Sequence, residues 1–342
     1  SEGNALFRDW QYTAGLFYMD SDQTRPVIVT LAFPARTVQQ GGGVLVGAKE
    51  TAVYFDVTRV FNERFELNLG GRYFDQSTEG GTYVGFSYAS NVPPGLPDTI
   101  PFVPNTAGFL RLDDTGFNPK AAVRWFATEN VTLVASYAQG YRFGGINGDK
   151  FQLDAAIGAG GDIPFTFGSD QLENWEIGVR TTWLNRRLTA DLTAFFIDWK
   201  DLQVPQRSGV FAYTDNVGGA EVKGIEFALN AALADYWSLL LNGSYQNAET
   251  TEAFVSGQFG PIASGTELPQ APEWTGAIQV GYDRTFNDLA TSSAITYSYR
   301  GSATNNFVDS VPLSGFGTLD AAISVQGTAM TFQPRLSLIA KN

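Results

Sequence analysis

The sequence contains no cysteine and no histidine. The first absence excludes disulfides, a thiolate nucleophile, iron–sulfur clusters and cysteine-based zinc sites. The second excludes a Ser-His-Asp triad and any histidine-ligated metal. No apolar run approaches the roughly 18 residues that a membrane-crossing helix needs. Charged residues are scarce at 17%, against about 25% in an ordinary soluble domain. Their balance is acidic, with a net charge of −13, and a nucleic-acid binder would need a basic footprint instead. The opening SEGNALFRDW has neither the basic start nor the apolar stretch of a secretion signal. A mature chain, or one lacking its beginning, is expected. No nucleophile–base pair or metal cluster stands out, so neither an enzyme nor a cofactor is expected.

What is present is β-structure. Aromatics reach 14% and glycine numbers 37, a composition suited to strands and turns. The dominant pattern is alternation with period two. Trp237, Leu239, Leu241, Gly243 and Tyr245 share one face of a segment whose other face carries Tyr236, Ser238, Leu240, Asn242, Ser244 and Gln246. Trp175, Ile177, Val179 and Trp183 oppose Asn174, Glu176, Gly178, Arg180 and Thr182 in the same way. About thirteen long strands are expected. Very short turns near 62–64, 128–130, 184–186, 234–235, 286–288 and 326–328 alternate with long polar connections near 76–116, 144–169, 205–219, 250–271 and 301–314. Residues 26–35 could add a strand.

Strands of nine or more residues with short turns on one side and long loops on the other describe an all-β fold, an antiparallel transmembrane β-barrel. Outer-membrane lipid is then one partner. Tryptophans and tyrosines fall toward strand ends, where interfacial girdles sit. A β-propeller would show a repeat of about 40 residues, and none is visible. A soluble β-rich binding domain and a passive porin remain as alternatives.

Several segments carry a family resemblance. Residues 131–147, VTLVASYAQGYRFGGIN, contain a Tyr-x-x-Gly-Tyr-Arg strand end running into a glycine-rich loop. FNPK at 117–120, ENWEIGVR at 173–180, FFIDWKDLQ at 195–203, NVGGAEVKGIEF at 216–227 and PQAPEW at 269–274 follow in order. The ordered set resembles the C-terminal part of TonB-dependent outer-membrane receptors, barrels of about 22 strands. The resemblance implies that residues 1–342 are a partial barrel domain, with the N-terminal plug domain and the final strand absent from this chain. It implies energised import across a bacterial outer membrane, through the plug and the TonB complex. The ligand would be large or scarce: a metal chelate such as a ferric siderophore, cobalamin, haem or similar.

On the barrel reading, Glu66, Arg72, Lys120, Arg124, Glu176, Arg180, Asp191 and Glu226 face the lumen, because a charge facing lipid at mid-depth costs roughly 2–4 kcal/mol. The resemblance implies that this face packs a plug. Ligand contacts are expected at the extracellular strand ends, from Tyr141, Arg142 and Asn147 on one strand and Trp199, Asp201 and Gln203 on another. Tyr83, Phe86, Tyr88, Phe151, Phe165 and Phe167 add aromatic surface in the loops. Asp20 with Asp22, and Asp113 with Asp114, are carboxylates that Ca²⁺ could use, but no full ligand loop surrounds them. GGVLVGAKET at 42–51 fails as a phosphate loop, because Ala48 separates Gly47 from Lys49 and Glu50 separates Lys49 from Thr51.

Overall fold

A computed structural model describes residues 10–33, 36–89, 109–147, 163–208, 211–308, 311–329 and 332–342. In chain order the strands are β1 (Trp10–Phe33), β2 (Arg36–Phe61), β3 (Phe65–Ala89), β4 (Leu110–Thr128), β5 (Val131–Arg142), β6 (Gly145–Ile146), β7 (Thr166–Phe167), β8 (Asp170–Trp183), β9 (Leu188–Lys200) and β10 (Gln203–Ser208). They continue as β11 (Phe211–Asn216), β12 (Ala220–Ala234), β13 (Trp237–Thr250), β14 (Phe254–Ser256), β15 (Gly260–Ile262), β16 (Trp274–Phe286), β17 (Leu289–Arg300), β18 (Phe316–Gly327) and β19 (Arg335–Ala340).

Thirteen of them form one antiparallel sheet in the order β1-β2-β3-β4-β5-β8-β9-β12-β13-β16-β17-β18-β19. Every neighbour in this meander is the next long strand in sequence. The other six make three small hairpins, β6–β7, β10–β11 and β14–β15, all within the long connections. No helix among the described residues is long and apolar enough to cross a membrane, which says nothing about strands.

Two boundaries differ from the sequence reading. Residues 76–89 and 110–116 continue β3 and β4 rather than forming a loop, so Tyr83, Phe86 and Tyr88 lie on a strand. Residues 26–33 extend β1 and add no further strand. Polar and glycine-rich stretches read as loop, yet they pair as strand where a long neighbour supplies the ladder. Phe151 lies outside the described residues.

The sheet reverses the ordinary arrangement of a half-buried sheet. Its apolar face is open: Leu16 is 81% exposed, Ile177 65%, Ile295 57% and Leu319 54%. Its polar face is the covered one toward the long connections, where Glu50, Ala52, Phe74, Gln76 and Thr78 are buried. An apolar band of this extent requires an apolar surrounding medium.

Aromatic rows bound that band. On the apolar face Phe65 and Tyr73 of β3, Phe117 and Trp125 of β4, Trp175 and Trp183 of β8, Trp237 and Tyr245 of β13, and Trp274 and Tyr282 of β16 each lie eight positions apart. The register aligns them across strands, pairing Phe65 with Trp125 and Trp237 with Tyr282 in the row near the short turns. Tyr73 pairs with Phe117, and Tyr245 with Trp274, in the row near the long connections. Neighbouring rings touch, with centroids 4.8 Å apart for both Trp237–Tyr282 and Tyr245–Trp274. Eight residues rise about 27 Å along a strand. At a tilt of about 40° that is roughly 20 Å of depth, the scale of an outer-membrane apolar band.

Candidate functional site

The polar face carries a ladder of ion pairs. Glu66 and Arg124 are direct partners across β3–β4 and form a salt bridge. Lys120 reaches Asp56 over Gly70, where any Cβ would stand 2.5 Å from the lysine stem. Arg180 Nε donates to Asp191 Oδ1 at 2.6 Å. Glu176 accepts from Ser136 Oγ at 3.3 Å and Asn174 Nδ2 at 2.7 Å. Glu226 lies between Thr193 and Ser244 in register, on the same face. The eight residues expected on the lumen side thus share one sheet face, with several of them paired to one another or to strand neighbours.

Toward the long connections the face becomes aromatic. Arg72 forms a salt bridge with buried Glu50, and its Nη1 donates to the Tyr141 hydroxyl at 3.2 Å. The Tyr141 ring stacks on Phe74 at 4.0 Å and meets Phe143 edge-on at 5.1 Å. Strict alternation would put Tyr141 on the apolar face with Tyr137. The β4–β5 ladder ends at Lys120–Ala138, and past that point Tyr141 contacts the polar-face residues Arg72, Glu50 and Phe74. Above the aromatic row, burial first and then the Glu50 charge push the Tyr141 phenol up to about 12.

Arg142 belongs to a second cluster. Its Nε donates to Asp170 Oδ2 at 2.8 Å, and its guanidinium lies over the Trp199 ring at 4.7 Å. Asp170 is 1% exposed and also accepts from the backbone amides of Arg142 and Gln203, at 3.2 and 3.3 Å. The Gln203 side chain donates to the carbonyls of Phe143 and Gly168, at 2.8 and 2.9 Å. Asn147 exchanges two 2.7 Å bonds with the Thr214 backbone and donates to Pro164 O at 3.0 Å. Asp201 turns the chain between β9 and β10 with a left-handed φ of 53°. Arg142, Trp199 and Gln203 are therefore brought together, while Asn147 fastens the β6–β7 hairpin to β11. Their polar groups hold three connections in one arrangement.

Between this arrangement and the polar face of β1–β3 lies a cavity of about 630 Å³. Sequence reasoning missed Glu50, Asp170, Gln76 and Gln206, all of them buried polar side chains. Glu50 carries a readable signal, since alternation places it on the polar face, whereas Gln76 falls in the stretch read as a connection. Asp170 and Gln206 carry none, because their burial depends on hairpins that come from other connections. Three of the four candidate Ca²⁺ carboxylates are already engaged, Asp20 with Lys49, Asp113 with Arg111 and Asp114 with Ser169. Among the described residues no group of three or more acidic side chains is placed to hold a metal ion.

A family model described as TonB dependent receptor-like, beta-barrel, matches residues 3–342. The chain belongs to the TonB-dependent receptor β-barrel family. That membership makes it a bacterial outer-membrane receptor barrel and not an enzyme, and it agrees with the exposed apolar band and the aromatic rows. Among curated proteins it is similar to a probable TonB-dependent siderophore receptor, PiuA of Acinetobacter baumannii, with 23% identity over 184 residues, 52% of this chain and 24% of that protein. Among solved structures it resembles the ferric yersiniabactin uptake receptor FyuA of Yersinia pestis, at a TM-score of 0.63 and 14% identity over 97% of this chain and 54% of FyuA. It also resembles the siderophore receptor PiuA of Acinetobacter baumannii, at a TM-score of 0.62 and 13% identity over 95% of this chain and 52% of PiuA. The TonB-dependent receptor barrel described here thus spans about half the length of these structures and a quarter of the curated relative.

Proposed function

We propose that this chain is the barrel wall of an energised importer that captures a scarce metal chelate, of the ferric-siderophore class, at its extracellular end. The observation that carries the reading is the arrangement of joined hairpins beside the polar face. It leaves an aromatic and amide-lined cavity at the end of the lumen, above a wall of ion pairs. Family membership and the siderophore receptors named above support the class of cargo. Cobalamin and haem are the other large cargoes to be compared with it.

In this reading a plug domain of the parent polypeptide packs against the ion-paired wall of Glu66, Arg72, Lys120, Arg124, Glu176, Arg180, Asp191 and Glu226. It couples binding to the TonB complex, since the outer membrane holds no nucleotide energy source. Tyr141, Arg142, Asn147, Trp199, Asp201 and Gln203 shape the mouth, Arg142 and Asn147 by positioning the hairpins and Trp199 by its ring. The test is uptake of iron-loaded siderophores, haem and cobalamin by cells carrying the full-length gene, with and without TonB. TonB-dependent uptake of a ferric siderophore is expected. Steady ion conductance of the full-length protein in lipid bilayers, with uptake indifferent to TonB, would identify a passive channel instead.

A further inference from the structure

We infer that Arg59 and Arg284 build two equivalent sites for the phosphodiester of a phospholipid headgroup, on the outward face of the barrel at its short-turn end. Only the membrane placement of the barrel is presupposed, whatever cargo it carries.

The sequence repeats itself just before two short turns, as Arg-Val-Phe-Asn at 59–62 and Arg-Thr-Phe-Asn at 284–287. Both asparagines open their turns with a left-handed φ, 50° and 51°, a conformation that asparagine tolerates better than most residues. Alternation turns both arginines outward. Arg59 is opposite Trp10 and Leu67 in register, and Arg284 follows Tyr282 by two positions on β16. The guanidinium carbon of Arg59 lies 4.6 Å from the Phe61 ring centroid and 4.8 Å from that of Trp10. That of Arg284 lies 4.6 Å from Phe286 and 4.8 Å from Tyr236. In each clamp one ring belongs to the phenylalanine two positions nearer the turn, so the cation is drawn away from the bilayer centre. The other belongs to a tryptophan or tyrosine across the sheet.

A charge on this face costs about 2–4 kcal/mol at mid-depth and about 0–1 kcal/mol near the interface. The other cations of the face, Lys49, Arg111, Lys200 and Lys223, lie toward the long connections. Each is neutralised by a salt bridge, to Asp20, Asp113, Glu173 and Glu221 respectively. Arg59 and Arg284 have no carboxylate partner among the described residues. Aromatic rings attract a cation without neutralising it. A guanidinium carries its N–H donors at its edge, in a fork that fits two phosphate oxygens. The short turns of an outer-membrane barrel are periplasmic, and the anion that a membrane offers at this depth is the headgroup phosphodiester. In the sheet order β2 and β16 are separated by β3, β4, β5, β8, β9, β12 and β13. The two sites thus hold the wall to the headgroup plane at well-separated points.

The test uses the full-length receptor in neutral detergent and two probes with the same acyl chains: phosphatidylglycerol, and diacylglycerol, which lacks the phosphate. Native mass spectrometry counts the lipids retained across a titration. The proteins are wild type, Arg59→Gln, Arg284→Gln, the double variant, Arg284→Lys and, as a control, Lys200→Gln. Heat-dependent gel mobility verifies that each variant retains its barrel. Wild type is expected to retain phosphatidylglycerol in preference to diacylglycerol. Each single Gln variant is expected to weaken one retained phosphatidylglycerol about tenfold or more, as for lost hydrogen bonds to a charged group, and the double variant two. Arg284→Lys keeps the charge without the fork and is expected to fall between wild type and Arg284→Gln. Lys200→Gln is expected to lose none. Equal retention of diacylglycerol, unchanged retention in the folded double variant, or a loss in Lys200→Gln as large as in Arg284→Gln overturns the sites. Should Arg59→Gln fail to assemble, Arg284→Gln decides alone, since that side chain is exposed and lies beyond Tyr282 toward the turn.

Discussion

Leu241 sits at the middle of the apolar band. It is four positions above Trp237 and four below Tyr245 on β13, and its register partners are Leu229 and Ile278. Asn242, the next residue, is opposite Ala228 and Ala277 on the polar face. Arginine at Leu241 must therefore place its charge at the bilayer midplane, where the penalty is about 2–4 kcal/mol. That lowers the folded-to-unfolded ratio roughly 30- to 900-fold. Arginine at Asn242 points into a polar lumen and should change stability by less than about 1 kcal/mol. A third variant, Trp237→Arg, lies at the interfacial row, where the charge penalty falls to about 0–1 kcal/mol, although the lost ring contact with Tyr282 adds to it. Equilibrium unfolding of the full-length protein in phospholipid bilayers, with denaturant as the variable, measures all three. Equal losses for Leu241→Arg and Asn242→Arg would refute the assignment of faces. A charge penalty that did not shrink toward Trp237, once compared with Trp237→Ala, would refute the assignment of depth.

Two further outcomes follow from the mouth. Asp170→Ala removes the acceptor shared by the Arg142 guanidinium and two backbone amides, so the hairpins around Gln203 should loosen by about 2–3 kcal/mol. Amide exchange at Arg142 and Gln203 should accelerate accordingly, and unchanged protection there would show that Asp170 is not the fastener. The Tyr141 phenol is raised from the ordinary 10.0 to about 12, so the folded state favours its neutral form. Its contribution is complete below pH 10 and is lost as pH rises toward 12. Difference absorbance between wild type and Tyr141→Phe should show no phenolate from this residue below about pH 11, and a signal near pH 10 would contradict its burial against Glu50.

The wall of the fold was legible because its signals are local. Alternation along 237–246 or 174–183 fixes two faces whatever the neighbours are, and the short turns fix which strands pair. The thirteen strands and the shared face of the wall's charges follow from that alone. The limits of β3 and β4 were not legible, because glycine and polar residues at 76–81 and 110–116 have no strand preference of their own. They are held by registers such as Gln76–Asp114 and Glu79–Arg111. The mouth was harder for a further reason. Tyr141, Arg142 and Gln203 were legible as strand-end residues, yet what they touch depends on Phe74, Asp170 and Phe143, and only tertiary pairing brings those together. Gln206 carries no sequence signal at all, since its burial comes from Ser256 and Gly257, some fifty positions away.

The matching aromatic rows have a consequence for how such a chain can change length. An insertion of one residue between two girdle positions would turn every side chain beyond it to the other face. An insertion of two would restore the faces but carry one ring out of its row and away from the partner strand's ring. Both errors would be repeated across the adjoining ladder. An insertion in the hairpins beyond the rows would leave faces and rows unchanged. The strands act as a ruler with a fixed graduation, and the hairpins begin where that ruler ends.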